Sequence, residues 1–184
     1  KGTTFRLCNT CSMIFKNGVT VNGTRKQPVE FQPIDEKFGG VSILNKKMGK
    51  TKINHVKIKN SDGIESAPYM HDSSLLIYGG SYELIGVTIQ DSTAEDMLHI
   101  VRSNGLIEDL VLDTGKSDGI DIDYGKLSLN NSSLINLGGD GVDTSSSIVS
   151  MKNVFIKNIH DKGLSIGEKS LNRSDEVLID NFTA

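Results

Sequence analysis

An all-β fold, a parallel β-solenoid of about 22 residues per coil, is what this sequence predicts. Three observations lead to it. A short motif recurs: apolar-x-x-apolar-x-apolar, a polar turn, then Asp-Gly-apolar-Asp-apolar. Within each half of the motif the hydrophobic period is two, which is strand alternation. No stretch long enough for a helix carries a 3.6-residue period with caps, so nothing helical separates the strands. Short strands of this kind bury their apolar side by stacking on the next copy.

The elements follow in chain order. Phe5–Leu7, Met13–Phe15, Val19–Val21, Val29–Phe31 and Val41–Leu44 read as short strands, and Gly-Thr-x-x-x-Pro-Val at 23–29 as a turn into one of them. They are expected to be irregular coils (1–52) of the same single domain, 1–184, whose regular coils occupy 53–184. The first half of the motif then appears as Ile53/Val56/Ile58, Leu84/Val87/Ile89, Ile107/Leu110/Leu112, Leu129/Ser132/Leu134 and Met151/Val154/Ile156, with a partial copy at Val177/Ile179. In the second half, the steps from Asp96 to Asp118, Asp140 and Lys162 are 22 residues each. Ser61-Asp62-Gly63-Ile64-Glu65 reads as an earlier copy with a shorter turn. Glu65 to Leu84 is 19 residues against 8 from His99 to Ile107, so the extra eleven are expected as a loop near Ser66–Ser73, with Pro68, Tyr69, His71 and Asp72.

Stacking the copies produces columns. Leu98, Ile120, Val142 and Leu164 form one inward stack, and Ile100, Ile122, Thr144 and Ile166 a second. Asn60, Asp91, Thr114, Asn136, Asn158 and Asn181 follow the apolar triplets. Asn and Asp tolerate the left-handed turn conformation, so this column is a corner of the coil.

The outward columns carry the candidate chemistry. His99, Asp121, Asp143 and Ser165 form one, with Asp123 also outward, and Asp96, Asp118, Asp140 and Lys162 run beside it at the turn. Like charges ~5 Å apart repel by about 1 kcal/mol in water and more near a protein surface. Such a row needs relief from splay, a cation, a shared proton or a basic neighbour. Asp before Gly also makes a good turn, which is the structural reading of Asp118 and Asp140. Asp121 and Asp143 stand mid-strand, where Asp is disfavoured. Three chemistries fit: glycoside hydrolysis by paired carboxyls; lyase or epimerase chemistry with Lys162, His99 or Arg102 as base; and plain binding, in which the acids with Tyr78, Tyr82 and Tyr124 hold a sugar chain or a calcium ion. Calcium is the one candidate cofactor. Asp118, Asp140, Lys162, His99, Asp121 and Asp143 are the catalytic candidates, and Arg102, Tyr124 and Asp96 the substrate-binding ones.

Composition narrows the classes. Lys+Arg 20 against Asp+Glu 23 gives a net charge of -3, without the basic excess of a nucleic-acid binder. No apolar run approaches the ~18 residues of a membrane span. No signal-peptide pattern follows Lys1. Cys8 and Cys11 lack the further ligands a zinc site needs and sit among strands, so they read as strand-end thiols, free or bridged. Five Asn-x-Ser/Thr sequons, at Asn22, Asn130, Asn131, Asn172 and Asn181, decide nothing in so Asn-rich a chain.

Ser117-Asp118-Gly119-Ile120-Asp121-Ile122, Gly138-Gly139-Asp140-Gly141-Val142 and Asp161-Lys162-Gly163-Leu164-Ser165-Ile166-Gly167 resemble pectin-lyase-like right-handed parallel β-helix proteins, over about 53–184. That resemblance implies the right hand of the helix, in line with parallel crossovers generally. Polygalacturonases offer the nearest catalytic echo. Asp118 matches the first Asp of their Asn-Thr-Asp-Gly motif and Asp140 the second of Gly-Asp-Asp, both on the base side. Gly139 stands where the general-acid Asp belongs and Lys162 where the His of the next motif belongs. Glu95 to Ser103 also resembles β-helix regions of large bacterial surface or secreted proteins, some beside spore-coat-type kinase domains.

The expectation is a secreted or cell-surface protein, the periplasm included, that binds or processes a polysaccharide along its acidic face. A lyase or epimerase and a non-catalytic stalk of a larger surface protein are the alternatives. An ice-binding solenoid is disfavoured, because no outward Thr ladder repeats. Neither end shows an amphipathic cap, so capping by further chain or by a partner is expected.

Overall fold

The computed structural model describes residues 2–63 and 72–182. The alternation of apolar and polar residues becomes strands in one parallel sheet, wound into a β-solenoid of about 7 turns with about 23 residues per turn. The chain enters on β1 (Thr4–Leu7) and then turns through β2 (Ser12–Phe15), β3 (Thr20–Asn22) and β4 (Val29–Pro33). The next coil is β5 (Gly40–Leu44), β6 (Lys50–Asn54) and β7 (Val56–Lys59). Above it lie β8 (Ser73–Ile85) with β9 (Thr88–Ser92), then β10 (Asp96–Glu108) with β11 (Val111–Gly115). The upper coils are β12 (Asp118–Asp123) with β13 (Lys126–Leu137), β14 (Val142–Ser145) with β15 (Ile148–Ile159), and β16 (Leu164–Ile166) with β17 (Leu171–Phe182).

Register sorts these strands onto three faces. Face A stacks β2, β5, the first halves of β8 and β10, then β12, β14 and β16. Face B stacks β3, β6, the second halves of β8 and β10, and the first halves of β13, β15 and β17. Face C stacks β1, β4, β7, β9, β11 and the second halves of β13, β15 and β17.

The predicted inward residues meet in the interior. Every member of the five complete triplets is buried, including Ser132. Burying an aliphatic side chain of this size contributes ~1.5–3 kcal/mol, so the continuous apolar stack is the main stabilising term. Leu98, Ile120 and Val142 pair in register with Leu164 above them, as do Ile100, Ile122, Thr144 and Ile166. Ile166 does not finish buried: it is 53% exposed, because it lies in the last coil of its face among the described residues.

Three left-handed corners separate the faces. Asn60, Asp91, Thr114, Asn136 and Asn158 have φ between 54° and 62°, the corner expected from their composition. The corner from face B to face C holds His55, Gly86, Asp109, Asn131, Asn153 and Glu176, with φ between 48° and 65°. That from A to B holds Met48, Gly79, Arg102, Tyr124, Ser146 and Lys169. These two were not legible, since only the first is consistently rich in Asn and Asp. Left-handed L-residues cost roughly 1–2 kcal/mol each. Side-chain ladders offset this: Asn158 Nδ2 donates to Asn136 Oδ1 at 2.9 Å, and Asn153 Nδ2 to Asn131 Oδ1 at 2.6 Å.

Several expectations change. Val41 pairs with Leu75 and Leu75 with Leu98, steps of 34 and 23 residues, and Met151 pairs with Ser174 at 23, so the 22-residue period holds only from β10 to β15 and, on face A, to β16. Ser61-Asp62-Gly63 is not an earlier copy of the Asp96 turn, because Ser73 is the register partner of Asp96. Ser61 instead joins the hydroxyl chain Ser61–Ser74–Ser92, with 2.7 Å between neighbouring oxygens. Ile64, Glu65 and most of the expected loop, Ser66 to His71, lie outside the described residues. Tyr82 is buried, its hydroxyl donating to Lys126 O at 3.1 Å, so it belongs to the core and not to a sugar surface. Cys8 and Cys11 are bridged, with 5.2 Å between their Cα atoms, across the turn between β1 and β2.

Candidate functional site

Strand alternation on face A sends Leu98, Ile100, Ile120 and Ile122 inward and His99, Asp121, Asp123 and Asp143 outward. Register then places His99, Asp121, Asp143 and Ser165 in one column, with Asp96 and Asp118 partnered beside it. In the coil below, the position of His99 is taken by Leu76, which is fully buried, so the polar stripe starts at His99.

The turn column is held by backbone amides. Asp118 Oδ1 accepts from Asp140 N at 2.7 Å, and Asp140 Oδ1 from Lys162 N at 2.8 Å. Two coils below Asp118, Asp72 Oδ1 accepts from Glu95 N at 3.0 Å. Each carboxylate thus ties its own coil to the next, a duty beyond the turn formation expected of Asp at these positions. The fit is tight at Gly139, where a Cβ would overlap Asp118 Oδ1. The position that would carry a general acid in the polygalacturonase pattern therefore has no room for one while Asp118 keeps this bond. Lys162 Nζ lies 2.8 Å from Asp161 Oδ2 and 3.5 Å from Asp140 Oδ1. The Asp161 carboxylate, with Asp140 behind it, holds the ammonium above its usual pKa, which suits a cation and not a proton acceptor.

Asp96 behaves differently. Its carboxyl is buried and turns toward His99, with Oδ2 3.4 Å from Nδ1. The other ring nitrogen, Nε2, lies 3.4 Å from Asp121 Oδ2 and 3.3 Å from Asp123 Oδ2. Burial first, then the charges of Asp121, Asp118, Glu95 and Asp72, push Asp96 up to about 8. Asp121 is pushed up to about 6, chiefly by burial, with Asp123, Asp143 and Asp118 adding and His99 opposing. A protonated Asp96 can donate toward Nδ1, leaving Nε2 to face the carboxylates of Asp121 and Asp123. Asp118 is also raised, mainly by burial, while the amide of Asp140 pulls the other way.

Asp96, His99 and Asp121 each offer one ligand atom, all within 4.8 Å of one another. One imidazole nitrogen with two carboxylates suits a transition metal better than calcium, which takes 6–8 oxygens.

Arg102 and Tyr124 sit on the corner bordering this face. The guanidinium lies 5.8 Å from the Tyr124 ring centroid, and Nη1 donates to Tyr78 Oη at 3.5 Å. Tyr124 is 62% exposed and presents a ring face beside Asp123. Asp143 is more self-contained, its Oδ1 accepting from Thr144 N at 2.7 Å.

The structure thus brings Asp96, His99 and Asp121 into one group, stacks Asp118, Asp140 and Lys162 as a backbone-anchored column, and sets Arg102 and Tyr124 at its edge. Asp123 joins the His99 group without having been a candidate; its outward place in the alternation was the available signal. No protein-family profile matches the chain, and no curated protein matches it.

Proposed function

We propose that this β-solenoid is a secreted or cell-surface protein that binds a polysaccharide along face A and transfers protons to it through Asp96, His99 and Asp121. The observation that carries the reading is the imidazole of His99 held between a buried carboxyl and two more exposed carboxylates. Glycoside cleavage needs a proton donor at the leaving oxygen and a base or nucleophile opposite it. Asp96 keeps its proton to about pH 8 and Asp121 is ionised above about pH 6; a substrate entering between His99 Nε2 and Asp121 would take the Nε2 proton at its leaving oxygen while Asp96 returns one to Nδ1. An extended sugar chain would run across the coils over Asp121 and Asp143, with Tyr124 offering a stacking surface and Arg102 a donor. The likeness to pectin-lyase-like enzymes supports this substrate class. The bridged Cys8–Cys11 pair suits an oxidising compartment outside the cytosol. A lyase base at Lys162 has less support, since that ammonium is engaged by two carboxylates.

The test is turnover against a panel of neutral and uronate polysaccharides. The expected activity is bell-shaped in pH, bounded near 6 by Asp121 and near 8 by Asp96. His99→Ala and Asp121→Asn should each lower kcat by roughly 100-fold or more while binding persists. Binding without cleavage of any polysaccharide would leave a non-catalytic binding surface, and neither binding nor cleavage would overturn the reading.

A further inference from the structure

A second polar concavity lies away from face A, at the corner from face B to face C. It is a groove of about 330 Å³, lined by Arg25, His55, Lys57, Asp109 and Ser133 among others. Its shape follows from one residue. The corner column carries a side chain in every coil from His55 to Glu176 except at Gly86. There a Cβ would overlap the His55 ring, so the ring packs where the side chain would stand and forms one wall of the groove. The turn at Thr24 to Gln27 sends Arg25 across this groove to Asp109, Nη2 to Oδ2 at 2.7 Å, roofing it with an ion pair between residues 84 apart in sequence.

The charges inside are unequal. Arg25 neutralises Asp109. No hydrogen bond or ion pair among the described residues engages the His55 ring or the Lys57 ammonium. Lys57, Thr88, Val111 and Ser133 follow one another on the outer side of face C, each the register partner of the next, with Glu30 below Lys57 beyond the groove. The unengaged Lys57 ammonium and His55 ring at one end, with two hydroxyls flanking an apolar Val111, make a place for a compact anion attached to a polar body. A phosphate or sulfate ester answers to that set: the lysine takes its oxygens, and the hydroxyls meet sugar hydroxyls. The volume falls at the small end of small-molecule sites.

We infer that this groove binds a phosphate or sulfate ester of a sugar-sized molecule, independently of the acidic face. The test uses backbone amide NMR shifts of the full chain titrated with glucose 6-phosphate, glucose 6-sulfate, glucose and inorganic phosphate. At least one ester should give saturable shifts at Thr88, Val111 and Ser133, and the stronger ester names the group. Lys57→Glu and His55→Ala should each weaken it by roughly tenfold, with the rest of the spectrum unchanged as the check on folding. Asp121→Asn should leave this binding intact, which separates it from the proposal for face A. Shifts by neither ester, equal binding of glucose, or equal binding of inorganic phosphate alone would overturn the inference.

Discussion

Asp96 and Asp118 are register partners one coil apart, yet their carboxyls meet different surroundings. Asp118 Oδ1 receives the amide of Asp140, and the same bond recurs between Asp140 and Lys162. Asp96 instead lies buried against His99, with four acidic neighbours. A backbone donor directed at a carboxylate makes it a joint between coils. Without that donor, burial and like charge keep a proton on the group and leave it able to give one up. The repeat therefore supplies the same residue twice, and the direction of one N–H bond separates a fastener from a candidate acid.

That contrast can be broken at its tightest point first. Gly139→Asp would drive a Cβ into Asp118 Oδ1 and free the amide of Asp140. A loss of roughly 3 kcal/mol is expected in urea unfolding. An unchanged midpoint would show that the column is not tightly joined.

Asp96→Asn addresses the other coil through pH. The folded carboxyl titrates at about 8, while in the unfolded chain it ionises near its usual value of about 4. Between those limits the unfolded state holds fewer protons, so the wild-type protein loses stability as pH rises from about 4 to about 8. The Asn variant should remove that slope and gain on the order of 4 kcal/mol at pH 7, about three pH units at 1.36 kcal/mol each. Denaturation at several pH values measures it; parallel wild-type and variant curves would contradict the assignment.

Asp118 sharpens the comparison by its two replacements. Asp118→Asn keeps an oxygen for the Asp140 amide and should be close to neutral. Asp118→Ala removes it and should cost about 1 kcal/mol, read from thermal or urea midpoints. Equal effects would mean that the acceptor is not what matters. Smallest of all, Lys162→Ala should leave the unfolding midpoint unchanged, since its ammonium is exposed and its surface ion pairs contribute little.

Much of the architecture was legible because stacking is enforced by hydrophobic alternation. Ile120 and Ile122 can only point inward together, and a 22-residue step then aligns Asp121 with Asp143 whatever else occurs. The Asn-rich corner was legible for a similar local reason, the tolerance of Asn and Asp for positive φ. Legibility stopped where spacing changed. Below β10 the steps lengthen, and the turn at Asp62 looked like the Asp96 turn although Ser73 holds that register. Tyr82 reads from the sequence as a surface aromatic, whereas its hydroxyl spans two coils to Lys126 O. The outer columns were foreseen as a row, but not that His99 would gather Asp96, Asp121 and Asp123 while Asp118 and Asp140 were consumed by amides.

By itself, then, the chain specified, from β10 to β16, which side chains face in, which face out and which coils lie above one another, since these depend on a period of two and a constant repeat length. Only the folded structure decided the protonation, pairing and enclosure of the outward groups. Those depend on atoms a few ångströms apart that belong to different coils: the amide above Asp118, the ring beside Asp96, and the Arg25 arm that crosses Gly86. None of these contacts follows from periodicity, because each is set by side-chain direction and by the burial that neighbouring coils impose.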